Sequence, residues 1–173
     1  MVALSTLLGL QGGGTSFGSG ARPKIIALTV STLWVPQFSG EVIIHCSGGG
    51  GAGKSGDGGG GAGGYCKKRI TVDTSHSYTA TIGAGGDNGD GSPSSFVGHG
   101  HSLIANGGQR PAGGGIGGTG GTASGGDANV QGGYGHKDTA SVEAGGGAVG
   151  ILGVGNPTAA NVENAEYGAN VFD

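Results

Sequence analysis

The sequence predicts an all-β protein in which short antiparallel strands alternate with packed glycine-rich, polyglycine II-like segments, with little or no helix. Three observations carry that expectation. Strand-length runs rich in β-branched residues alternate apolar and polar positions with period two. Between them lie glycine tracts, one of which carries a side chain at every third residue. No stretch shows the periodicity of an amphipathic helix. Glycine supplies 47 of the 173 residues and proline 5, a share at which low-complexity disorder is the usual outcome. Charged residues, however, make up only 11%, well below the charge load of disordered tails, so the glycine calls for a structural use.

The elements follow in order. Residues 1–24 are apolar and then loose ("LQGGGTSFGSGAR"), which suits an attachment segment. A glycine-rich β domain is expected over 25–155. It opens with "KIIALTVSTLWVP", a β-branched run, followed by "EVIIHC", which sets Val42, Ile44 and Cys46 on one face and Ile43 and His45 on the other. After the first long glycine run, "KKRITVD" puts Ile70 and Val72 together, and "YTATIG" does the same for Tyr78, Ala80 and Ile82. "DTSHS", Asp73 to Ser77, reads as the turn between those two strands. In "GGGIGGTGGT", Ile116, Thr119 and Thr122 recur every third residue. Three residues per turn is the period of the polyproline II helix, which has no internal hydrogen bonds. A Gly-Gly-X row in that geometry has two bare edges, through which neighbouring chains can approach and exchange N–H and C=O bonds. Those bonds must offset the entropy that glycine loses on ordering. Collagen is excluded, since its strict period and high proline are missing. Residues 156–173 form a separate C-terminal segment with room for one short helical turn in "TAANVENAEYGANVFD".

Composition also excludes function classes. A net charge of −3 gives no basic footprint, so no nucleic-acid binding is expected. The longest apolar run is broken by Thr and Ser and falls short of the ~20 residues that span a bilayer, which predicts no membrane insertion. The first ten residues carry no Lys or Arg and no clear cleavage site follows, which predicts a cytoplasmic product without a secretory signal. Cys46 and Cys66 end and begin the strands around the first glycine run. They could face each other and close a loop of about 20 residues, with ~3 kcal/mol of stabilisation from a disulfide; the alternative is a pair of reduced thiols. Gly48, Gly53, Lys54 and Ser55 fit the phosphate-binding pattern G-x-x-x-x-G-K-[ST]. That motif requires a helix straight after it, and "GDGGGGAGGY" cannot start one. No other catalytic set stands out, and an enzyme is not expected.

In that order of signals the chain resembles the glycine-rich domain of bacteriophage tail-fibre and tail-tip virion proteins. The matching elements are Trp34–Pro36, Glu41–Gly51, Gly58–Tyr65, Lys68–Val72, Tyr78–Gly86, Gly91–Phe96 and Ala105–Gly108, within Thr32 to Gly135. The period-three tract is similar to the polyglycine II bundles of phage tail-tip adhesins. The ending "AEYGANVFD" departs from the hydrophobic strand that often closes such domains. The resemblance implies a non-enzymatic virion protein of the tail, assembled in the host cytoplasm as a homotrimer, with other tail subunits and a host cell-surface receptor as partners. A capsid-decorating or head-tail accessory role is the alternative, and an ice-binding or matrix protein a remote one.

Candidate site residues follow from this. On a strand, His99 and His101 would share a face, and three chains around a threefold axis would present six nitrogens; spikes that resemble this arrangement hold an octahedral iron. The alternative is an exposed pair in a polar loop. "DNGDG", Asp87 to Gly91, lacks the spacing of a calcium loop and reads as a turn. Receptor contacts are expected on the loops between glycine blocks, at Asp87, Asn88, Asp90, Gln109, Arg110, Tyr134, His136 and Lys137.

Overall fold

The alternating segments become two antiparallel sheets, and the glycine tracts become a bundle of rows extending from one end of them. The computed structural model describes the backbone of Ser5–Gly9 and residues 24–137. Ten strands are present there: β1 (Ser5–Gly9), β2 (Lys24–Leu28), β3 (Thr32–Trp34), β4 (Gly40–Ser47), β5 (Tyr65–Val72), β6 (Tyr78–Thr81), β7 (Ser94–Gly98), β8 (His101–Ala105), β9 (Ala123–Ser124) and β10 (Ala128–Val130). The first sheet has the order β10-β5-β4-β1-β2 and the second β3-β6-β7-β8-β9. The described residues contain no helix, so none is long and apolar enough to cross a membrane.

The core lies between the sheets, where the period-two pattern puts it. Val42, Ile44 and Cys46 from β4 and Cys66, Ile70 and Val72 from β5 pack with Tyr78, Ala80, Phe96, Leu103 and Ala105 of the second sheet. Tyr78 and Phe96 stack with ring centroids 5.0 Å apart, and Trp34 tilts over both at 5.7 and 6.0 Å, an offset arrangement that suits aromatic quadrupoles. The turn after β5 is held by Asp73, whose carboxylate accepts the Ser75 N–H at 2.8 Å.

The run "KIIALTVSTLWVP" divides between the sheets: β2 joins the first and β3 the second, with Ser31 at the crossing, where its hydroxyl accepts the Ile82 N–H at 2.9 Å. One segment departs from expectation. Part of the expected attachment segment is β1, which pairs with β2 on one side and β4 on the other. The rest of 1–23, and the C-terminal segment 156–173 for which one short helical turn is expected, lie outside the described residues.

Seven glycine-rich rows leave or rejoin the strands: 48–52, 58–64, 83–86, 89–92, 106–110, 117–122 and 132–136. Their hydrogen bonds repeat every third residue. Gly48 and Gly51 donate to Gly64 and Gly61, Gly61 and Gly64 donate to Gln109 and Asn106, and Gly118 and Gly121 donate to Gly59 and Ala62. Row 58–64 thus contacts four others, since Gly59 and Ala62 also donate to His136 and Gly133. The pairing that the sequence assigned to neighbouring chains is made within one chain. Glycine is required by the closeness of the rows: a Cβ on Gly61 would stand 2.0 Å from the Thr119 carbonyl oxygen, and backbone on both sides prevents relief.

His45, on the outer face of β4, is also buried. Its Nδ1 lies 2.6 Å from the Tyr65 hydroxyl and its Nε2 has no partner among the described residues. Burial, assisted by nearby Lys67, holds its pKa below the ordinary 6.5, and burial pushes the Tyr65 hydroxyl up to about 12.

Two predictions follow from this packing. Gly61→Ala is expected to cost at least the roughly 1–3 kcal/mol typical of overpacking. Gly89→Ala, where a Cβ meets nothing within 4 Å, is expected to be neutral or to stabilise by about 0.5 kcal/mol through the unfolded chain; chemical denaturation of both variants compares them. For His45, the unfolded imidazole takes up a proton more readily than the folded one, so stability is full above about 6.5 and falls as pH drops below it. Unfolding free energy measured from pH 8 to 5 should decline more gently in His45→Gln than in the parent chain.

Candidate binding surface

Every row runs away from the sheets or back to them, which gathers the reversals at one end. Row 48–52 leaves β4 and 58–64 returns to β5; 83–86 leaves β6 and 89–92 returns to β7; 106–110 leaves β8 and 117–122 returns to β9. The last row, 132–136, leaves β10. The reversals 53–57, 87–88 and 111–116 and the end of the last row therefore lie at the far end of the bundle.

Side chains tie these reversals to one another. Lys54 and Gly58 close the first turn, the Lys54 N–H reaching the Gly58 carbonyl at 3.0 Å, and Lys54 forms an ion pair with Asp57. The Asp57 carboxylate also accepts the N–H groups of Gly115 and Gly114 in the third reversal; the Lys54 hydrogen bond is the main reason that its pKa lies below the usual range. Arg110 joins the third excursion to the second: its N–H donates to the Asp90 carboxylate at 2.7 Å and its Nη1 to the Asn88 carbonyl at 3.0 Å. The Gly59 N–H reaches the His136 carbonyl at 2.9 Å, and Gly58 forms a bridge with Lys137.

Of the expected contact residues, Asp87, Asn88 and Asp90 are exposed and gathered with Arg110 on one flank. Gln109 adjoins them, although its side chain is engaged by the Thr119 hydroxyl. Lys137 is at the same end across row 58–64. Tyr134 lies further back along its row, half-buried, and His136 is buried, with neither ring nitrogen partnered among the described residues. Sequence reasoning missed Lys54, Asp57 and Ile116. Ile116 is 54% exposed at the third reversal, and its signal was a lone large apolar residue inside "GGGIGG".

The phosphate-binding pattern has no cradle here. The Gly48, Gly51 and Ala52 amides are taken by Gly64, Gly61 and Gly89, and Lys54 is paired with Asp57.

The expected strand placement is corrected for His99, whereas His101 is the first residue of β8. His99 (φ 47°) and Gly100 (φ 78°) form the tight turn between β7 and β8, at the opposite end of the sandwich from the bundle. Two successive left-handed residues make the turn whose twist suits a two-residue hairpin, so the two imidazoles do not share a strand face. His99 instead lies against His76, with ring centroids 3.5 Å apart and the planes tilted by 35°, and the His76 Nδ1 lies 2.5 Å from the Asp73 carboxylate. Burial, with Lys68 and His99 nearby, lowers the His101 pKa. Among the described residues no group of three or more His, Cys, Asp or Glu is placed to hold a metal ion.

A family model described as a glycine-rich domain matches residues 27–172. The chain belongs to this glycine-rich domain family. The match continues past residue 155 into the C-terminal segment. No curated protein and no solved structure matches the chain.

Arg110→Ala is expected to cost about 1 kcal/mol through the lost charged hydrogen bond and to speed amide hydrogen exchange at 86–90, leaving β4 and β5 protected. Uniform acceleration across the strands would show that Arg110 does not act as a local tie.

Proposed function

We propose that this glycine-rich domain is a structural virion protein of a bacteriophage, a tail-fibre or tail-tip component whose far bundle end contacts a host cell-surface receptor. The observation that carries the reading is the gathering of three short, mutually tied reversals at one end of a close-packed scaffold. Loops held this way are where recognition residues usually sit, and their prior ordering reduces the entropy lost on binding. Asp87, Asn88, Asp90, Lys137 and Ile116 are the contact residues. In this reading the sheet end faces other tail subunits, and the assembled state in the virion is a homotrimer. The trimer leans on the resemblance to fibre proteins, since the glycine pairing that argued for it is met inside one chain.

A second reading, a capsid-decorating or head-tail accessory protein without a receptor, draws on the outer face of the second sheet. Leu33, Thr79, Thr81, Ser95, Val97, Ser102 and Ile104 point outward there without a charge among them. Such a face suits packing against another subunit.

One competition experiment tests both. Purified chain is added to susceptible bacteria before phage that carry the same protein. The tail reading expects binding to cells and reduced adsorption, with at least a tenfold loss for an Asp87→Lys, Ile116→Asp double variant that keeps its unfolding midpoint. Binding to particles without binding to cells would favour the accessory role, and equal competition by the double variant would remove the bundle end as the contact.

A further inference from the structure

Cys46 and Cys66 stand directly opposite each other in the β4–β5 ladder. Both face the core, at 4% and 0% exposure, both are free thiols, and their side chains hydrogen-bond to each other. They occupy the root of the glycine bundle: the next rung is Ser47 with Tyr65, and beyond it the Gly48 N–H reaches the Gly64 carbonyl. Beside Cys46 is a half-open cavity of about 20 Å³ with Leu28, Ile44, Ala80, Ile82 and Phe96 among its walls. That volume admits one molecule of the size of water. A bulky disulfide reagent is excluded, whereas a small neutral oxidant fits.

We propose that Cys46 and Cys66 form an oxidisable dithiol that a small peroxide, entering this cavity, converts into a cross-strand disulfide at the root of the first glycine excursion. The Cys46 sulfur, as thiolate, attacks one peroxide oxygen. The O–O bond breaks, and the departing hydroxide takes the proton that the thiol released and becomes water. The Cys66 sulfur then attacks the resulting sulfenic acid; the S–S bond forms, the S–O bond breaks, and the hydroxyl leaves with the Cys66 proton as a second water. Two thiols are oxidised, and one peroxide is reduced to two waters. Directly opposed residues hold their Cβ atoms about 4.5–5.5 Å apart and a disulfide about 3.5–4.5 Å, so the second step draws the two strands together by about an ångström at this rung. The hydrogen bond between them, and then burial, keep the Cys46 thiol above its ordinary range, while the same bond lowers Cys66; the first step at Cys46, the thiol beside the cavity, is therefore slow near neutral pH and should quicken as pH rises.

The test is hydrogen peroxide treatment of the native chain, followed by alkylation under denaturing conditions and intact-mass measurement. The expected product has lost two hydrogens and accepts no alkyl group. Its unfolding midpoint rises by roughly 5–10 °C and returns on reduction. In Cys66→Ser the reaction should stop at a Cys46 sulfenic acid that dimedone, added as the protein is denatured, traps; if that variant does not fold, the parent chain's mass alone decides. Two thiols still open to alkylation, direct passage to sulfinic acid in the parent chain, or disulfides between chains would each overturn the proposal.

Discussion

The backbone hydrogen bond between glycine rows is the constraint on which the rest of this structure depends. A row with three residues per turn satisfies none of its own N–H or C=O groups, and buried backbone groups left unpaired are costly. The chain therefore has to bring rows close enough to bond to one another. Side chains prevent that approach, and the scale is set by positions such as Gly120, where a Cβ would stand 1.7 Å from the Gly132 carbonyl oxygen. The glycine content is thus a consequence of bonding geometry, and the entropy lost at each glycine is set against bonds that no other residue would allow.

The sheets supply what the rows lack on their own. A glycine segment has no hydrophobic stripe to fix its neighbours, so its register has to come from elsewhere. In the β4–β5 ladder the pairing runs from Gly40 with Val72 to Ser47 with Tyr65, and the bond from Gly48 to Gly64 continues it as the next rung. The sandwich core, with Val42, Ile44, Tyr78 and Leu103 at its centre, thereby sets the register from which the rows propagate. In a strand the bonds lie in one plane, whereas in a period-three row they radiate in three directions. The same chain changes from two flat sheets to a bundle in which row 58–64 meets four others, simply by changing its period.

Much of this was legible in the sequence because it rests on periodicity. The inward set Val42, Ile44 and Cys46, the pairs Ile70 with Val72 and Tyr78 with Ala80, the turn at Asp73 to Ser77 and the period-three row at 117–122 follow from spacing alone, whereas the other six rows were not marked by it. What escaped depends on contacts between distant segments. Nothing local in "GDNGDG" or "QRP" shows that Arg110 will bond to Asp90 and Asn88 across the second reversal, nor that Asp57 will bind the amides of Gly114 and Gly115. The histidine pair failed for a local reason. His99 stands between Gly98 and Gly100, a flanking that favours a left-handed turn over a strand, and that signal was present before the structure was. His136 lies at a row end expected to be exposed, and its burial had no sequence signature.

The division between rows and reversals also separates what the chain must keep from what it is free to change. Within a row the next carbonyl oxygen occupies the space of a side chain, so at Gly61 or Gly118 almost any substitution meets backbone. In the reversals and at the row ends beside them the constraint is relaxed: Gly114 in the third reversal and Gly89 at the start of its row have nothing within 4 Å of their Cβ positions, and Ile116 presents its side chain to solvent. Within the rows only the positions that face away from a neighbouring row, such as Asn106, Gln109, Thr119 and Thr122, carry side chains, while the reversals at one end are free of that restriction. A surface built this way can alter charge, size and hydrogen-bonding pattern without disturbing the bonds that hold it. The ties made by Asp57 and Arg110 limit how far its loops can move apart when their other residues change.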